Sequence, residues 1–229
     1  MIKIEKTDVF GWVSAIRGMR NPLNSWDKSD TDFSLSGMQS VGGILVPTVG
    51  ENDLSLMKKL VKAGSDHSKF MRFIDVTTDI TAPLYWWKEY DTYKVGTVAN
   101  SCSTMHKIHA KEFTLDDFSH EHLFDAVDNR EGGSDMDYWE NPTTVLQYVI
   151  DVLNHYRIKF LDTNDKRFWW QMIQLLPSSY NQKRTVQLNY AVLRNMYHSR
   201  KNHKLDEWHT FCEWVEKLPY AEEVITNAV

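Results

Sequence analysis

The chain has 229 residues, of which 26 are lysine or arginine and 31 are aspartate or glutamate, so its formal charge is −5. Acidic and basic residues are mixed, which argues against binding to a nucleic acid polymer or an anionic membrane through overall charge. Two cysteines are too few for a disulfide framework, and no apolar run approaches the roughly 18–20 residues of a membrane span. Residues 1–10 also lack the apolar centre of a signal peptide. We therefore expect a cytoplasmic protein with a single domain, 1–229.

Residues 1–51 predict one helix and one loop. Val13, Ile16 and Met19 recur at helical spacing, and the helix should end before Pro22, because a residue that precedes proline is disfavoured in helical geometry. The polar, turn-rich stretch that follows predicts a long, solvated loop. The alternative to a solvated loop is a polar site that includes Arg17, Arg20, Asn21, Ser29 and Asp30.

Residues 52–107 predict a helix, a strand, a second helix and a polar loop, in that order. Apolar residues on one face and Gly64 at the C-cap position predict the first helix. Alternating apolar and polar residues over 68–80 predict the strand. Pro83 begins the second helix, which is rich in aromatic residues. The loop at 96–107 is dense in short polar side chains, which suit the binding of an anion or a heterocycle.

The rest of the chain is predicted to be mostly helical. Residues 108–142 contain a Gly132-Gly133 break and no pattern that assigns their interior. Beyond them, helical spacing of apolar residues predicts four helices, over 143–161, 165–177, 184–201 and 204–218. The third of these helices carries a basic cluster, which is either a solvated face or a phosphate site. Its members at positions i, i+4 and i+7 are Arg194, His198 and Lys201.

Several residue types that often carry chemistry have simpler interpretations here. The histidine pairs at 106/109 and 120/122 have zinc-like spacing, but no further ligands complete a site, so no metal is predicted. Cys102 lies in the polar loop without a visible activating base, and Cys212 is predicted to be core. The tryptophan pairs at 86–87 and 169–170 are predicted to be core or subunit interface rather than a flavin stack.

Two sets of spaced residues carry a resemblance to a known family. In the first, a helix leads through Gly64–Phe70 into a strand, and a helix then runs into Asn100 and Ser103. In the second, Leu176-Pro177 is followed twelve residues later by an asparagine and after eleven more by an arginine. The members of that second set are Asn189, Asn195 and Arg200. In order and spacing the chain resembles the flavin-dependent thymidylate synthases, the ThyX family, over about 52–216, and 1–51 is a divergent segment.

The chain departs from the family pattern at several arginines. The family's Arg-His-Arg motif falls on 93–95, where only Lys94 is basic, and the last arginine of that motif falls on Met105. Two further family arginines correspond to Ile173 and Ala191. A charge-assisted hydrogen bond from arginine to phosphate contributes about 1.5–3 kcal/mol. The departures therefore predict that flavin and nucleotide are not both bound in the family's usual way.

The resemblance implies a fold and an activity. The fold is α/β (α+β) in one domain, with a mixed or antiparallel sheet and a helix-rich C-terminal half. The activity is reductive methylation, or a related C5 modification, of a deoxypyrimidine monophosphate, with FAD, a reduced nicotinamide and methylenetetrahydrofolate. Family subunits form a homotetramer with active sites at subunit junctions. The lost arginines leave two alternatives open: a non-catalytic nucleotide-binding or assembly protein with this fold, and an α/β protein with an accidental match in spacing.

The resemblance also implies ligand contacts. Flavin-binding residues are predicted to be Arg72, Lys94, Asn100, Asn189 and Asn195. Substrate-binding residues are predicted to be Ser103, Thr104, His106 and Arg200. No catalytic side chain is assigned, because the family's reaction requires no protein nucleophile.

Overall fold

A computed structural model describes residues 2–124 and 141–227. Within them the chain divides into two compact units. The larger unit comprises 2–81, 89–100 and 184–227, and the smaller comprises 82–88 and 101–183 with its gap. The organisation of 1–229 as a single domain stays a prediction. The Gly132-Gly133 break lies outside the described residues.

The described residues form six strands and seven α-helices, together with short 3-10 helices and one π-helix. The strands are β1 (Lys3–Phe10), β2 (Met38–Val41), β3 (Ile44–Pro47), β4 (Asp75–Pro83), β5 (Thr97–Ser101) and β6 (Asn181–Asn189). The helices are α1 (Trp12–Arg20), α2 (Glu51–Lys62), α3 (Leu84–Tyr90), α4 (Pro142–Thr163), α5 (Lys166–Leu175), α6 (Tyr190–Arg200) and α7 (Asp206–Glu216). Four strands form a sheet with the order β1-β4-β6-β5, and β2 pairs with β3 in a separate hairpin.

Antiparallel pairing defines the register of β1 on β4. Ile4 pairs with Ile80 and Val9 with Val76, with an irregularity between Glu5 and Asp8. Along β4 buried residues alternate with half-buried ones, as expected for a strand with one face on the core. The hairpin of β2 and β3 is also antiparallel. The prediction of a mixed α/β fold with antiparallel pairing is therefore confirmed.

The helix predicted to end at Gly64 is confirmed as α2. The predicted strand is confirmed over 75–80, but its predicted start at 68 is wrong. Lys69–Phe73 forms a 3-10 helix. Within this helix the consecutive residues Phe70 and Met71 are both buried. A strand with one buried face does not allow this, because successive side chains of a strand point to opposite faces. The helical turn also carries Arg72, which is exposed.

Two further assignments are wrong, because strands lie where a loop and a helix were predicted. The loop at 96–107 contains β5, an edge strand whose residues beyond Thr97 are exposed, so it lacks the apolar alternation by which strands are recognised. The helix predicted to start at 184 begins only at Tyr190. Before it, Val186 and Leu188 are buried on alternate positions of β6. Because β6 runs directly into α6, the apolar residues of the strand and of the helix together gave the spacing of one continuous helix. The strands β1, β2 and β3 were not predicted.

Each unit has its own apolar core. In the larger unit Trp12, Met57, Ile74, Trp208 and Phe211 are fully buried or nearly so. In the smaller unit α4 packs on α5 around a cluster formed by Ile108, Phe113, Phe118, Leu146, Ile150, Leu153 and Met172. The prediction that Cys212 and the pair at 86–87 are core is confirmed, since all three side chains are buried.

None of the helices within 2–124 and 141–227 has the length and apolarity required to cross a lipid bilayer.

Candidate functional site

Asn189 stands at the junction of β6 and α6 in the larger unit. It is the N-cap of α6, and its side-chain Oδ1 accepts a hydrogen bond from the Val192 amide over 3.1 Å. This contact satisfies one of the amides that a helix start leaves unpaired. Within the described part of the chain, Asn189 Nδ2 has no acceptor. The predicted flavin contact therefore keeps a donor that is available for a ligand.

Gly96 approaches this asparagine closely. Its φ of 78° lies in the left-handed region, and a Cβ built on it would lie 3.2 Å from Asn189 Nδ2 and 3.1 Å from Val192 Cγ2. Glycine is the residue that tolerates both the backbone angle and the proximity. The turn that follows the aromatic helix is thereby brought beside the start of α6. Lys94 lies in the same turn, and its side chain is exposed.

Arg200, the predicted nucleotide contact at the end of α6, is held by three side chains. Its Nη1 donates to Glu89 Oε2 over 2.7 Å, and its Nε donates to the Tyr93 hydroxyl over 2.8 Å. The guanidinium carbon lies 4.9 Å from the centroid of the Trp208 ring. Glu89 Oε2 also accepts from Trp208 Nε1 and lies 3.1 Å from His203 Nε2. The guanidinium of Arg200 is thus held in position, and the Glu89 carboxylate partly neutralises its charge.

A cavity of about 150 Å3 lies beside the predicted flavin contact Arg72. Ala191, which stands where the family has an arginine, lines the same cavity, and so does Arg194. The remaining lining residues are Val61, Gly64, Ser65, Ser68 and Met71. The guanidinium groups of Arg72 and Arg194 therefore border the same cavity as Ala191. The turn at Gly64–Phe70, which carries part of the sequence resemblance, forms one wall.

Two members of the predicted basic cluster hold the C-terminal segment. Arg194 Nη1 donates to the carbonyls of Ile225 and Asn227 over 2.8 and 3.2 Å, and His198 Nε2 lies 2.9 Å from the Ile225 carbonyl. Burial, and then the charge of Arg194, lowers the pKa of His198. Burial also lowers the pKa of Arg194. These contacts favour a structural role for both residues over a phosphate site.

The remaining predicted contacts are distributed between the two units. Asn100 on β5 and Asn195 on α6 belong to the larger unit, and both are exposed. Ser103, Thr104 and His106 belong to the smaller unit. There Ser103 Oγ accepts from the amides of Met105 and His106 over 3.2 and 2.9 Å, which folds the segment into a tight turn.

Sequence reasoning missed the partners of Arg200. Glu89 lies on the aromatic helix and Tyr93 follows three residues after its end, and the four-residue spacing between them was the one available signal. The alternative polar site near Arg20 is realised in part, around a residue that was not singled out. Asp53 is fully buried and pairs with Arg20, and Ser29 also donates to it.

Among residues 2–124 and 141–227, no group of three or more histidine, cysteine, aspartate or glutamate side chains is placed to hold a metal ion.

Comparison with known proteins gives matches among solved structures alone. No family model matches the chain, and no curated protein matches its sequence. The flavin-dependent thymidylate synthase ThyX of Helicobacter pylori, complexed with FAD and dUMP, matches with a TM-score of 0.63 at 16% identity. The match covers 98% of this chain and 97% of that one. The UMP/dUMP methylase PolB of Streptomyces cacaoi, bound with 5-Br dUMP, matches with a TM-score of 0.61 at 14% identity, covering 99% and 94% of the two chains.

These matches extend over nearly the whole of each chain, so the similarity is one of complete architecture and not of a shared supersecondary unit. At this level of identity the similarity establishes the fold. The chain therefore has the fold of the flavin-dependent thymidylate synthases, as the spacing of its motif residues predicted.

Proposed function

We propose that the chain binds FAD and a pyrimidine nucleoside monophosphate and catalyses reductive methylation, or a related modification, at C5 of the pyrimidine. The observation that carries this proposal is the near-complete structural match to a ThyX complexed with FAD and dUMP and to a UMP/dUMP methylase. Retention of Asn189, Asn195 and Arg200 at the family's spacing supports it.

The residues of the larger unit fit a flavin. Asn189 Nδ2 is a free donor, and Asn195 is exposed on the same helix. Arg72 is exposed, has no ion pair within the described residues, and borders the cavity beside Ala191 together with Arg194. We propose that Arg72 offsets pyrophosphate charge in place of the missing arginine. Lys94 and Asn100 complete the proposed flavin-binding set. FAD, when bound, would supply the hydride chemistry of the reaction.

The proposed nucleotide contacts are Ser103, Thr104, His106 and Arg200. Arg200 is pre-oriented by Glu89 and Tyr93, and its Nη2 has no hydrogen bond within the described residues. A fixed guanidinium loses little side-chain entropy when it binds a phosphate. Ser103 Oγ accepts from two amides, so its hydroxyl proton is polarised for donation to an acceptor on the ligand. By analogy with the family, contacts to one nucleotide come from more than one subunit of a cytoplasmic homotetramer.

The carbon donor and the reductant belong to the same proposal. By the family resemblance they are methylenetetrahydrofolate and a reduced nicotinamide, and no protein nucleophile is required. Cys102 is exposed, and its amide donates to the Lys183 carbonyl. We assign it no role in the reaction.

A second function, binding of the nucleotide without catalysis, is favoured by one observation. Tyr93 stands where the family motif has its first arginine, and its hydroxyl accepts from Arg200. A tyrosine there supplies no positive charge, and Glu89 neutralises the cation nearby. FAD and the nucleotide both carry phosphate, and each needs positive charge from the protein. With a neutral side chain at Tyr93 and a partly neutralised Arg200, the site attracts a single phosphate-bearing ligand more readily than two.

Spectroscopy of the purified protein separates the two functions. If the chain is a flavoprotein, the protein shows the visible absorbance of oxidised flavin or acquires it when FAD is added. Ligands selective for the folded state also raise the melting temperature. A rise with dUMP but none with FAD would establish the binding protein. A rise with neither ligand would contradict both functions.

A further inference from the structure

A second, larger cavity lies in the larger unit, where the end of α1 meets the first turns of α2. Its volume is about 550 Å3. Two leucines contribute to its wall, and the remaining lining side chains are polar or positively charged. These polar residues are Arg20, Ser25, Lys28, Asn52, Ser55 and Lys59. Within the part of the chain that the structure describes, no carboxylate lines the cavity, although acidic residues outnumber basic ones in the sequence.

Arg20 is the fixed part of this wall. It is 3% exposed and pairs with Asp53, which is fully buried, with 2.6 Å from both Nε and Nη2 to Asp53 Oδ1. Its Nη1 donates to the Ser25 carbonyl over 3.1 Å. Arg20 Nη2 has the distance of an ion pair but not the alignment of a hydrogen bond. The ion pair with Asp53 and the contact with Ser25 therefore hold the Arg20 side chain in place, and its charge is balanced within the protein.

Both carboxylate oxygens of Asp53 are engaged by groups of the protein. Its Oδ2 accepts from the Ser29 hydroxyl, the Thr31 hydroxyl and the amides of Asp30 and Thr31, over 2.7–3.1 Å. Asp30 in turn accepts from the amides of Asn52 and Asp53 at the start of α2. The buried pair and the helix start are therefore satisfied within the protein. The segment that carries Lys28 is thereby fixed against α2.

The two lysines supply charge that nothing in the described residues neutralises. Lys28 and Lys59 are exposed, and neither forms an ion pair within 2–124 or 141–227. Because Arg20 and Asp53 cancel, the lining side chains and the buried carboxylate sum to a charge of about +2. The matching ligand is a small anion with two or more negative charges. Ser25, Ser55 and Asn52 add neutral donors suited to its oxygen atoms.

We propose that this cavity is a binding site for a small polyanion whose charges are carried on oxygen. Oligophosphates and polycarboxylates share that chemistry, and both fit the cavity volume. The lining residues include none of those proposed to contact flavin or pyrimidine nucleotide. The proposal therefore stands whether or not the chain is a flavoprotein.

Calorimetric titration of the full chain with pyrophosphate and, separately, with tricarballylate tests the site and distinguishes the two sources. We expect saturable binding of at least one probe, with a dissociation constant of about 1 mM or below at low ionic strength and weaker binding as salt is added. Lys28→Gln and Lys59→Gln should each weaken binding about tenfold, since each removes a charge-assisted contact. Both lysines are exposed, so the melting temperature should not change.

Lys58→Gln is the matched control, because Lys58 is exposed on the same helix and does not line the cavity. It should change the dissociation constant less than about twofold. Equal weakening by Lys58→Gln and Lys59→Gln would show general attraction to the helix surface and overturn the site. Heats that do not saturate with either probe would overturn it too.

Discussion

Arg200 and Glu89 form an ion pair of 2.7 Å between the end of α6 and the aromatic helix α3, and the side chains are 18% and 33% exposed. The guanidinium is thereby fixed before any ligand arrives. Tyr93, at a motif position where the family has an arginine, joins the same cluster. One cation that is positioned by a carboxylate and a phenol thus occupies a region where the family motif places several arginines.

Replacement of Arg200 tests its proposed contact with the nucleotide. Arg200→Gln should weaken binding of dUMP about tenfold, the effect of losing one charge-assisted hydrogen bond to phosphate. Lys201→Gln is the control, because Lys201 is the adjacent exposed cation, and it should change the affinity less than about twofold. Binding is measured by calorimetry well below both melting temperatures. Equal affinities in Arg200→Gln and the wild type would remove Arg200 from the nucleotide site.

Arg72 is predicted to replace the charge lost at Ala191. Arg72→Gln should lower the affinity for FAD about tenfold, because the guanidinium borders the cavity that Ala191 lines. Lys69→Gln removes an exposed cation from the same 3-10 helix and should leave FAD binding unchanged. Titration of the apoprotein with FAD, followed by flavin fluorescence, measures both. If the two variants behave alike, the effect is one of surface charge and not of a specific contact.

Elements whose apolar residues recur with a regular local period could be predicted from the sequence. The helix α2 shows one apolar face and a glycine after its end, and β4 alternates over Val76, Thr78 and Ile80, so local periodicity was sufficient. Strand β5 is an exposed edge and β6 runs directly into α6, so neither had a clean period. Their identity depends on sheet neighbours that are remote in sequence.

The candidate site divides in the same way. Asn189 and Arg200 were found because their spacing from Leu176-Pro177 lies within one continuous stretch of chain. The partners of Arg200 were not found, because Tyr93 and Glu89 are 107 and 111 residues away. Spacing along the chain identified candidate ligand contacts, whereas the groups that orient them depend on the tertiary fold.

Gly96→Ala should destabilise the protein, for two separable reasons. Gly96→Ala adds backbone strain at a φ of 78° and also places a Cβ 3.1 Å from Val192 Cγ2 and 3.2 Å from Asn189 Nδ2. Gly43→Ala is the control, because its φ is 86° but no atom lies within 4 Å of the new Cβ. Strain alone should lower the free energy of unfolding by about 1–2 kcal/mol in the control.

The crowding at Gly96 should add to that loss and should also disturb Asn189. We therefore expect Gly96→Ala to be less stable than Gly43→Ala in urea unfolding, and to bind FAD more weakly. Wild-type FAD affinity in Gly96→Ala would show that Asn189 does not contact the flavin. Equal stability of the two variants would show that the neighbours of Gly96 move aside at no cost.

The Arg20–Asp53 pair predicts how stability depends on pH. Burial opposes ionisation of Asp53, but hydrogen bonds from Thr31, Ser29 and Arg20 outweigh it and lower the pKa of the carboxyl below 3.8. A group whose pKa is lower in the folded state binds fewer protons there than in the unfolded chain. Its stabilising contribution is therefore complete above pH 3.8 and is lost as the pH falls through the folded-state pKa.

Asp53→Asn should lower the free energy of unfolding at pH 7 by about 3–5 kcal/mol, because it leaves the Arg20 guanidinium buried without a counter-charge. Below pH 3.8 the difference between variant and wild type should shrink, since the wild-type carboxyl becomes protonated as well. Asp27→Asn, at an exposed position in the segment that also carries Ser29 and Thr31, should change stability by less than about 0.5 kcal/mol. Urea unfolding at a series of pH values measures all three proteins. A difference between Asp53→Asn and wild type that stays constant down to the lowest pH would show that the charge of Asp53 does not stabilise the fold.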